Sequence, residues 1–305
     1  MTLNQLRVFC TVFDQGGFRA ASRSLDISQS TLTQSIQSLE TELGVTLLSR
    51  SHQGVSLTPH GERLLARARA IISDCDRVSE DMQQLSGEPT GTISLGMTSE
   101  PLGEVLLPVL KRFMASYPRV RVHVSSGSSL QLLERIRDGR LDFAIFPISP
   151  QVTDADMNIE RLYESTAGII ARKGHPKASA TSIRELANCE WIGLLTRNII
   201  GGAESRLVSL FRSQGLGVPK VVITAESLLE TLHMVSETDY LTLEPRALVD
   251  FKLYKSSLIS IPIKEGFDPR EVCLVRRRNA PSTPVMQELI TMMISYSRMA
   301  HRQIL

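Results

Sequence analysis

Apolar residues recur through the first sixty positions with the three- and four-residue steps of amphipathic helices. Leu3, Leu6, Cys10 and Phe13 share one face of a first helix, which Gly16-Gly17 ends; Gly17 can also cap the next. "FRAASRSL" (18–25) reads as a short second helix, with Ala20 and Ala21 small enough to let another helix cross closely. After a turn at Asp26-Ile27, "SQSTLTQSIQSLETEL" (28–43) carries Leu32, Ile36, Leu39 and Leu43 on one stripe and stops at Gly44, with Ser28 as N-cap. Two short helices joined by a tight turn form a helix-turn-helix. The other face of the third helix is crowded with uncharged hydrogen-bonding side chains and lacks Lys and Arg. Gln29, Thr33 and Gln37 lie one above another, with Ser30, Thr31 and Gln34 beside them. Gln can bond adenine N6 and N7 together, and hydroxyls can bond bases or phosphates, so this face is the candidate DNA reader.

"VTLLSRSHQGVSLTPHG" (45–61) then predicts strand, turn around Gln53-Gly54, strand, and a helix opened by Pro59. A hairpin directly after a recognition helix is a wing, and Arg50 and Gln53 fall on it. From Pro59 to Ser86 the composition stays helical. Leu64, Ala68, Ile71, Cys75, Val78, Met82 and Leu85 alternate steps of four and three. That 3.5-residue period predicts a helix about 40 Å long that pairs with a second copy of itself.

The period changes after the Gly/Pro linker "SGEPTGT" (86–92). "TISLGM" (92–97), "VRVHVSS" (120–126) and "LDFAIFPI" (141–148) read as strands, with helices at 101–116 and 129–138 between them. Such a β-α-β-α-β series predicts a parallel sheet. A second series begins near Gly168, and "EVCLVRR" (271–277) with a helix from about Thr283 to Met299 returns to the first lobe. Two α/β lobes leave a cleft between them, and ligands of open α/β sheets bind beyond the carboxyl ends of the strands. In the first lobe those ends are Thr98-Ser99, Ser126-Gly127-Ser128-Ser129 and Phe146-Pro147. In the second they fall at Thr196, Arg197, Asn198, Ile200 and Gly201. Ser128 and Ser129 stand at a helix N-terminus, which with hydroxyls suits an oxyanion. Glu100 argues against an anion unless it points away.

Composition narrows the alternatives. A chain of 305 residues, 42% hydrophobic, is long enough for about two domains, and a net charge of +2 favours no partner class. Cys10, Cys75, Cys189 and Cys273 form no CxxC pair, and the six histidines have no metal-ligand spacing, so neither metal nor other cofactor is expected. No secretion signal and no apolar run of membrane-spanning length is visible, which points to the cytoplasm. Without a G-x-S-x-G elbow, Walker loop or dinucleotide fingerprint, an enzyme is not expected. A solute-binding protein with an unrelated N-terminal extension would leave the winged helix unexplained.

The run "AASRSLDISQSTLTQSIQSLETELGVTLLSRSHQGVSLTPHG" resembles the winged helix-turn-helix of LysR-type transcriptional regulators. It matches at Ala20-Ala21, Leu25, Ser28-Gln29, Ile36, Leu39-Glu40, Leu43-Gly44, Leu47, Arg50, Leu57-Thr58 and Gly61. Gly17, and His52-Gln53 at the wing tip, depart from the usual family residues. "GSSLQLLERIRDGRLDFAI" (127–145), "HP" (175–176), "SIRELA" (182–187) and Val235 to Pro245 extend the resemblance into the effector domain, with departures at Thr238 and Tyr240. The resemblance implies an α-rich DNA-binding domain at 1–60, a dimerising linker helix at 61–87, and a two-lobed α/β effector domain at 91–305. That domain has the fold of periplasmic solute-binding proteins, with lobe I at 91–161 and 268–305 and lobe II at 162–267. It implies an effector contacted by Ser99, Ser128 and Thr196, and a dimer that often doubles to a tetramer. The expectation is a ligand-responsive regulator of double-stranded DNA, an activator of a nearby operon that senses a small carboxylate or aromatic sulfonate.

Overall fold

A computed structural model describes residues 1–51, 54–85, 87, 90–148, 154–194 and 203–302, the side chains of 50, 51, 85, 203–205 and 302 excepted. Three helices open the chain: α1 Leu3–Asp14, α2 Phe18–Leu25 and α3 Gln29–Leu43. The turn into α3 passes through Asp26 in the left-handed region, at φ 53°, a conformation Asp tolerates better than most residues. A hairpin of β1 Leu48–Ser51 and β2 Gly54–Leu57 follows, paired from Leu48↔Leu57 to Ser51↔Gly54, and α4 runs from Pro59 to Leu85. One core joins these elements, with Phe9, Val12, Ala21, Leu32, Leu39 and Leu47 at its centre. Helix α1 buries Val8, Phe9 and Val12 besides the expected stripe, because α4 packs across it.

The first turns of α4 belong to that same core. Leu65 and Ala68 are buried in it, and Leu64 and Ile72 pack against it. This corrects the pairing seam: Ala68, 0% exposed, lies inside its own domain, and half-buried Leu64 sits at that domain's edge. Ala at 68 lets α4 close on the helices beneath. The part of the stripe that faces outward is Ile71, Cys75, Val78 and Met82; Ile71, Val78 and Met82 are 42, 51 and 53% exposed. The side chain of Leu85 lies outside the described residues.

Lobe I is a five-stranded sheet in the order β4-β3-β5-β12-β6. Its strands are β3 Gly91–Met97, β4 Val120–Ser126, β5 Phe143–Ile148, β6 Met157–Ser165 and β12 Arg270–Arg277. Strands β3, β4 and β5 are parallel, and β12 runs antiparallel to both β5 and β6. The ladder of β6 with β12 continues to Ser165, so a lobe boundary at 161/162 would cut a strand; the chain crosses between lobes at Thr166. After β3 come α5 Ser99–Pro101, a π turn Leu102–Leu106, and α6 Leu107–Ser116; α7 Ser129–Arg137 follows β4, and α10 Pro284–Arg302 follows β12.

Lobe II holds β7 Ala167–Arg172, β8 Glu190–Leu194, α8 Ala203–Ser213, β9 Lys220–Ala225, α9 Leu228–Glu237, β10 Thr242–Pro245 and β11 Leu258–Ile261. Strand β7 is flanked by antiparallel β10 and β11, β8 pairs in parallel with β9, and a parallel bridge Trp191↔Leu241 joins the two sets. Buried Trp191 anchors this lobe, edge-on to Phe211 at 5.8 Å between centroids. Among the described residues, no helix is long and apolar enough to cross a membrane.

Candidate functional site

The third helix is held in place so that its polar face is left open. Ser28 caps it: the Thr31 N–H donates to Ser28 Oγ at 3.1 Å, and Gly44 in the left-handed region ends it. Leu32, Ile36 and Leu39 are buried beneath. Ser28, Gln29, Ser30, Thr31, Gln34 and Gln37 are exposed, while half-buried Thr33 turns its hydroxyl back to the carbonyl of Gln29 at 2.9 Å. Thr33 is therefore partly spent within the helix. The amides of Gln29, Gln34 and Gln37 make no hydrogen bond among the described residues. An exposed, unpaired amide can form the two-bond contact to an adenine edge without first breaking a protein bond.

The wing is fixed to this helix by groups whose role sequence periodicity did not reveal. Glu40 leaves α3 to accept the N–H groups of Leu47 at 2.6 Å and Leu48 at 3.2 Å, where the chain enters β1. Thr58 donates its hydroxyl to the carbonyl of Thr46 at 2.7 Å and accepts the N–H of Gly61, so it closes the wing and caps α4 together. At Gly61 the wing and α4 nearly touch: a Cβ there would lie 2.1 Å from the carbonyl oxygen of Leu47. Of the wing positions expected to meet DNA, Gln53 and the side chain of Arg50 lie outside the described residues. Arg7, one of the few cations of this domain, is engaged by Asp76 of α4.

At the carboxyl ends of lobe I the expected effector residues separate into groups. Thr98 and Ser99 open α5, with the Thr98 N–H donated to the carbonyl of Ile145 at 3.2 Å, which ties the end of β3 to β5. The hydroxyl oxygen of Thr98 is buried and has no partner among the described residues. Gly127, Ser128 and Ser129 lie at the start of α7. Ser128 forms a capping box: its Oγ accepts the N–H of Gln131 at 3.3 Å, and its own N–H goes to Gln131 Oε1 at 3.0 Å. Ser129 donates its hydroxyl to the carbonyl of Pro147 at 3.1 Å. These hydroxyls thus shape the site, while helix geometry leaves the first-turn N–H groups of Ser129 and Leu130 without intrahelical acceptors. Phe146 is a correction. It lies inside β5 and packs with Leu132, Leu141 and Cys273 beneath α7, so it is a core residue; the strand ends at Ile148, one residue past half-buried Pro147. Thr196 and Ile200, with Arg197, Asn198 and Gly201, lie outside the described residues.

Glu100 is buried and bonded within the protein. It is 4% exposed and accepts the Ser165 hydroxyl at 2.6 Å, beneath the crossover to lobe II. Burial pushes its carboxyl up to about 7; the Ser165 bond opposes this, and Glu104 adds to it. Glu104 meets His301 Nε2 at 3.1 Å, and His301 stacks on Tyr163 at 3.9 Å between centroids. The π turn between them packs against lobe II: a Cβ on Gly103 would lie 2.5 Å from the ring of Phe251. A single π turn of this kind needs tertiary support, and Phe251 and His301 provide it. On lobe II, Glu244 near the end of β10 is 7% exposed, and burial pushes it up to about 8.

Two family models cover most of the chain: the bacterial regulatory helix-turn-helix protein, lysR family, at residues 3–62, and the LysR substrate binding domain at 86–298. The HTH-type transcriptional regulator TdcA of Escherichia coli (strain K12) is 27% identical over 303 residues, 98% of this chain and 96% of the relative. GbpR of Azospirillum brasilense is 27% identical over 291 residues, covering 93% of this chain and 83% of that one. Among solved structures, a full-length OxyR variant from Pseudomonas aeruginosa superimposes with a TM-score of 0.69 at 23% identity, covering 98% of this chain and 95% of that one. CbnR complexed with its target DNA superimposes with a TM-score of 0.67 at 19% identity, covering 98% of this chain and all of CbnR. With the winged helix and the two-lobed domain both matched, the chain belongs to the LysR family of DNA-binding transcription regulators with an effector-binding domain.

Proposed function

We propose that this regulator senses a small organic anion, a carboxylate or aromatic sulfonate, between its two lobes and activates a nearby operon. The observation that carries the reading is the convergence of the ends of β3, β4 and β5 with the N-terminus of α7. There the first-turn N–H groups of Ser129 and Leu130 lie at the same end of the sheet as Thr98 and Ser99, which open α5. Glu100, the acidic residue next to Ser99, is buried and engaged by the Ser165 hydroxyl, which supports room for an anion. Activation is supported by relatives named as activators, among them the SDS degradation transcriptional activation protein of a Pseudomonas strain, 26% identical over 268 residues. Ile71, Cys75, Val78 and Met82 on α4 pair two copies in the cytoplasm, and pairs of dimers bind a dyad-symmetric operator whose half-sites are read by Ser28, Gln29, Ser30, Thr31, Gln34 and Gln37.

Thermal unfolding against a panel of small carboxylates and aromatic sulfonates tests the anion. A ligand at one hundred times its Kd should stabilise the effector domain by about 2.7 kcal/mol. Ser99→Ala should weaken that shift without lowering the ligand-free midpoint. Ser128→Ala should lower both, because it also removes a helix cap worth about 1 kcal/mol. A panel with no shift, or a shift unchanged in Ser99→Ala, refutes the anion site.

A further inference from the structure

The DNA-binding unit touches lobe I through charged groups. Arg77 on α4, 9% exposed, reaches out of its helix into lobe I. Its Nη1 donates to the carbonyl of Thr92 and to Glu80 Oε2, each at 2.7 Å, and its Nη2 pairs with Asp142. Asp142 also accepts the N–H of Ser94 at 2.7 Å. Three residues up the helix, Asp74 holds Arg277 of β12 through two bonds of 2.6 and 3.2 Å. Two turns up, Arg69 spans Asp14 of the DNA-binding core and Asp138 at the end of α7. Beside these pairs Gly139, at φ 74°, lies so close that a Cβ would stand 3.0 Å from the Cα of Ala70. The apolar clusters of the two units do not cross this junction among the described residues: one includes Leu65 and Ala68, the others draw on lobe I alone.

A polar joint between apolar units is one that can part, since its groups regain water when it opens. Its position ties it to the effector site. Thr92 lies at the start of β3 and Ser94 at its middle, and Asp142 immediately precedes β5. The same two neighbouring strands end at Met97, just before Thr98-Ser99, and at Ile148, just after Pro147, whose carbonyl accepts the Ser129 hydroxyl. Seven residues of β3 put the two ends about 20 Å apart.

We propose that Arg77 and Asp142, with Asp74–Arg277 beside them, form a releasable latch that sets the angle of the linker helix on lobe I and couples it to the cleft end of β3 and β5. Arg77 is a positioning residue: it acts through Thr92, Glu80 and Asp142. The coupling half rests on the effector reading above; the latch itself does not. The full-length protein is compared with Arg77→Met, Asp142→Asn and the exchange Arg77→Asp with Asp142→Arg. Small-angle scattering should show a larger radius of gyration for both single variants and partial recovery in the exchange. Raising salt from about 0.05 to 0.5 M weakens the more exposed Asp74–Arg277 pair rather than the buried Arg77–Asp142 pair, so it should expand the wild type slightly and Arg77→Met, whose latch is already open, less. Hydrogen exchange at 92–98 and 143–148 should speed up in the single variants while the core of α1 to α3 keeps its protection, which distinguishes release from unfolding. A wild-type radius and salt response in a folded Arg77→Met chain would overturn the latch. Expansion with unchanged exchange at 95–98 and 145–148 would overturn the coupling. Thermal unfolding against the panel of carboxylates and sulfonates separates this from the effector reading: with no shift from any anion that reading fails, and scattering still decides the latch. Should Arg77→Met not fold, Asp74→Asn opens the outer pair alone and should give a smaller expansion in the same assay; no expansion in that folded variant would likewise overturn the latch.

Discussion

Glu100→Gln changes one atom in lobe I and removes a charge that folding must bury. In the fold the Glu100 carboxyl ionises near pH 7, against 4.5 in an open chain, and the first cause is its loss of water at 4% exposure. Below pH 4.5 both states are protonated and the group contributes nothing. As pH rises from there, the unfolded chain gives up its proton first, so stability falls until about pH 7, where the full difference is reached. At 1.36 kcal/mol for each tenfold change in proton affinity, the cost above pH 7 is about 3 kcal/mol. Gln keeps an oxygen for the Ser165 hydroxyl and has no charge to bury. The variant should match the wild type near pH 4.5 and exceed it by up to about 3 kcal/mol at pH 8, roughly 6–12 °C in midpoint for a domain of this size. Denaturant unfolding of both proteins from pH 4.5 to 8 measures the difference. Glu244, pushed up to about 8, is present in both and cancels from the comparison. Parallel pH profiles for the two proteins, or a variant less stable at pH 8, would refute the burial argument.

Gly61→Ala should drive a Cβ into the Leu47 carbonyl; a backbone atom cannot step aside cheaply, so a loss of about 3 kcal/mol or more in the DNA-binding domain is expected, read as an earlier unfolding step. Gln29→Ala should weaken specific DNA binding by about 1–3 kcal/mol in fluorescence anisotropy and leave the unfolding midpoint unchanged, since this exposed amide bonds nothing among the described residues. Val78→Asp, on the outward stripe of α4, should shift sedimentation from dimer to monomer with helix content intact; a persistent dimer would remove that stripe from the interface.

Where one face of an element alone decides its environment, the residues spell it out. Helix α3 can be read from Leu32, Ile36 and Leu39 with Ser28 and Gly44 at its ends, and β4 from the alternation of Val120, Val122 and Val124. Period alone misleads at Ala68, because a heptad seam and a helix packed on its own domain repeat almost alike, and the crossing of α1 decides between them. Phe146 reads as a strand end although it is core, since a fully buried strand gives no polar mark of where it stops. The π turn at 102–106 depends on Phe251 and on His301 meeting Glu104, both far along the chain. Glu40, Arg77 and Asp142 look like ordinary surface charges in the sequence; their partners, the N–H groups of Leu47 and Ser94 and the carbonyl of Thr92, are backbone atoms that only the fold brings near.

The proposed regulator reads DNA with the open face of α3, in a paired arrangement. DNase I footprinting of the chain's own upstream region by the purified protein tests it most directly. The account predicts two protected half-sites on one face of the duplex, related by a dyad and separated by whole helical turns, with protection lost in Gln29→Ala and in Val78→Asp. Protection that persists in a folded Gln29→Ala, or a single half-site bound equally well by a monomeric Val78→Asp, would contradict it.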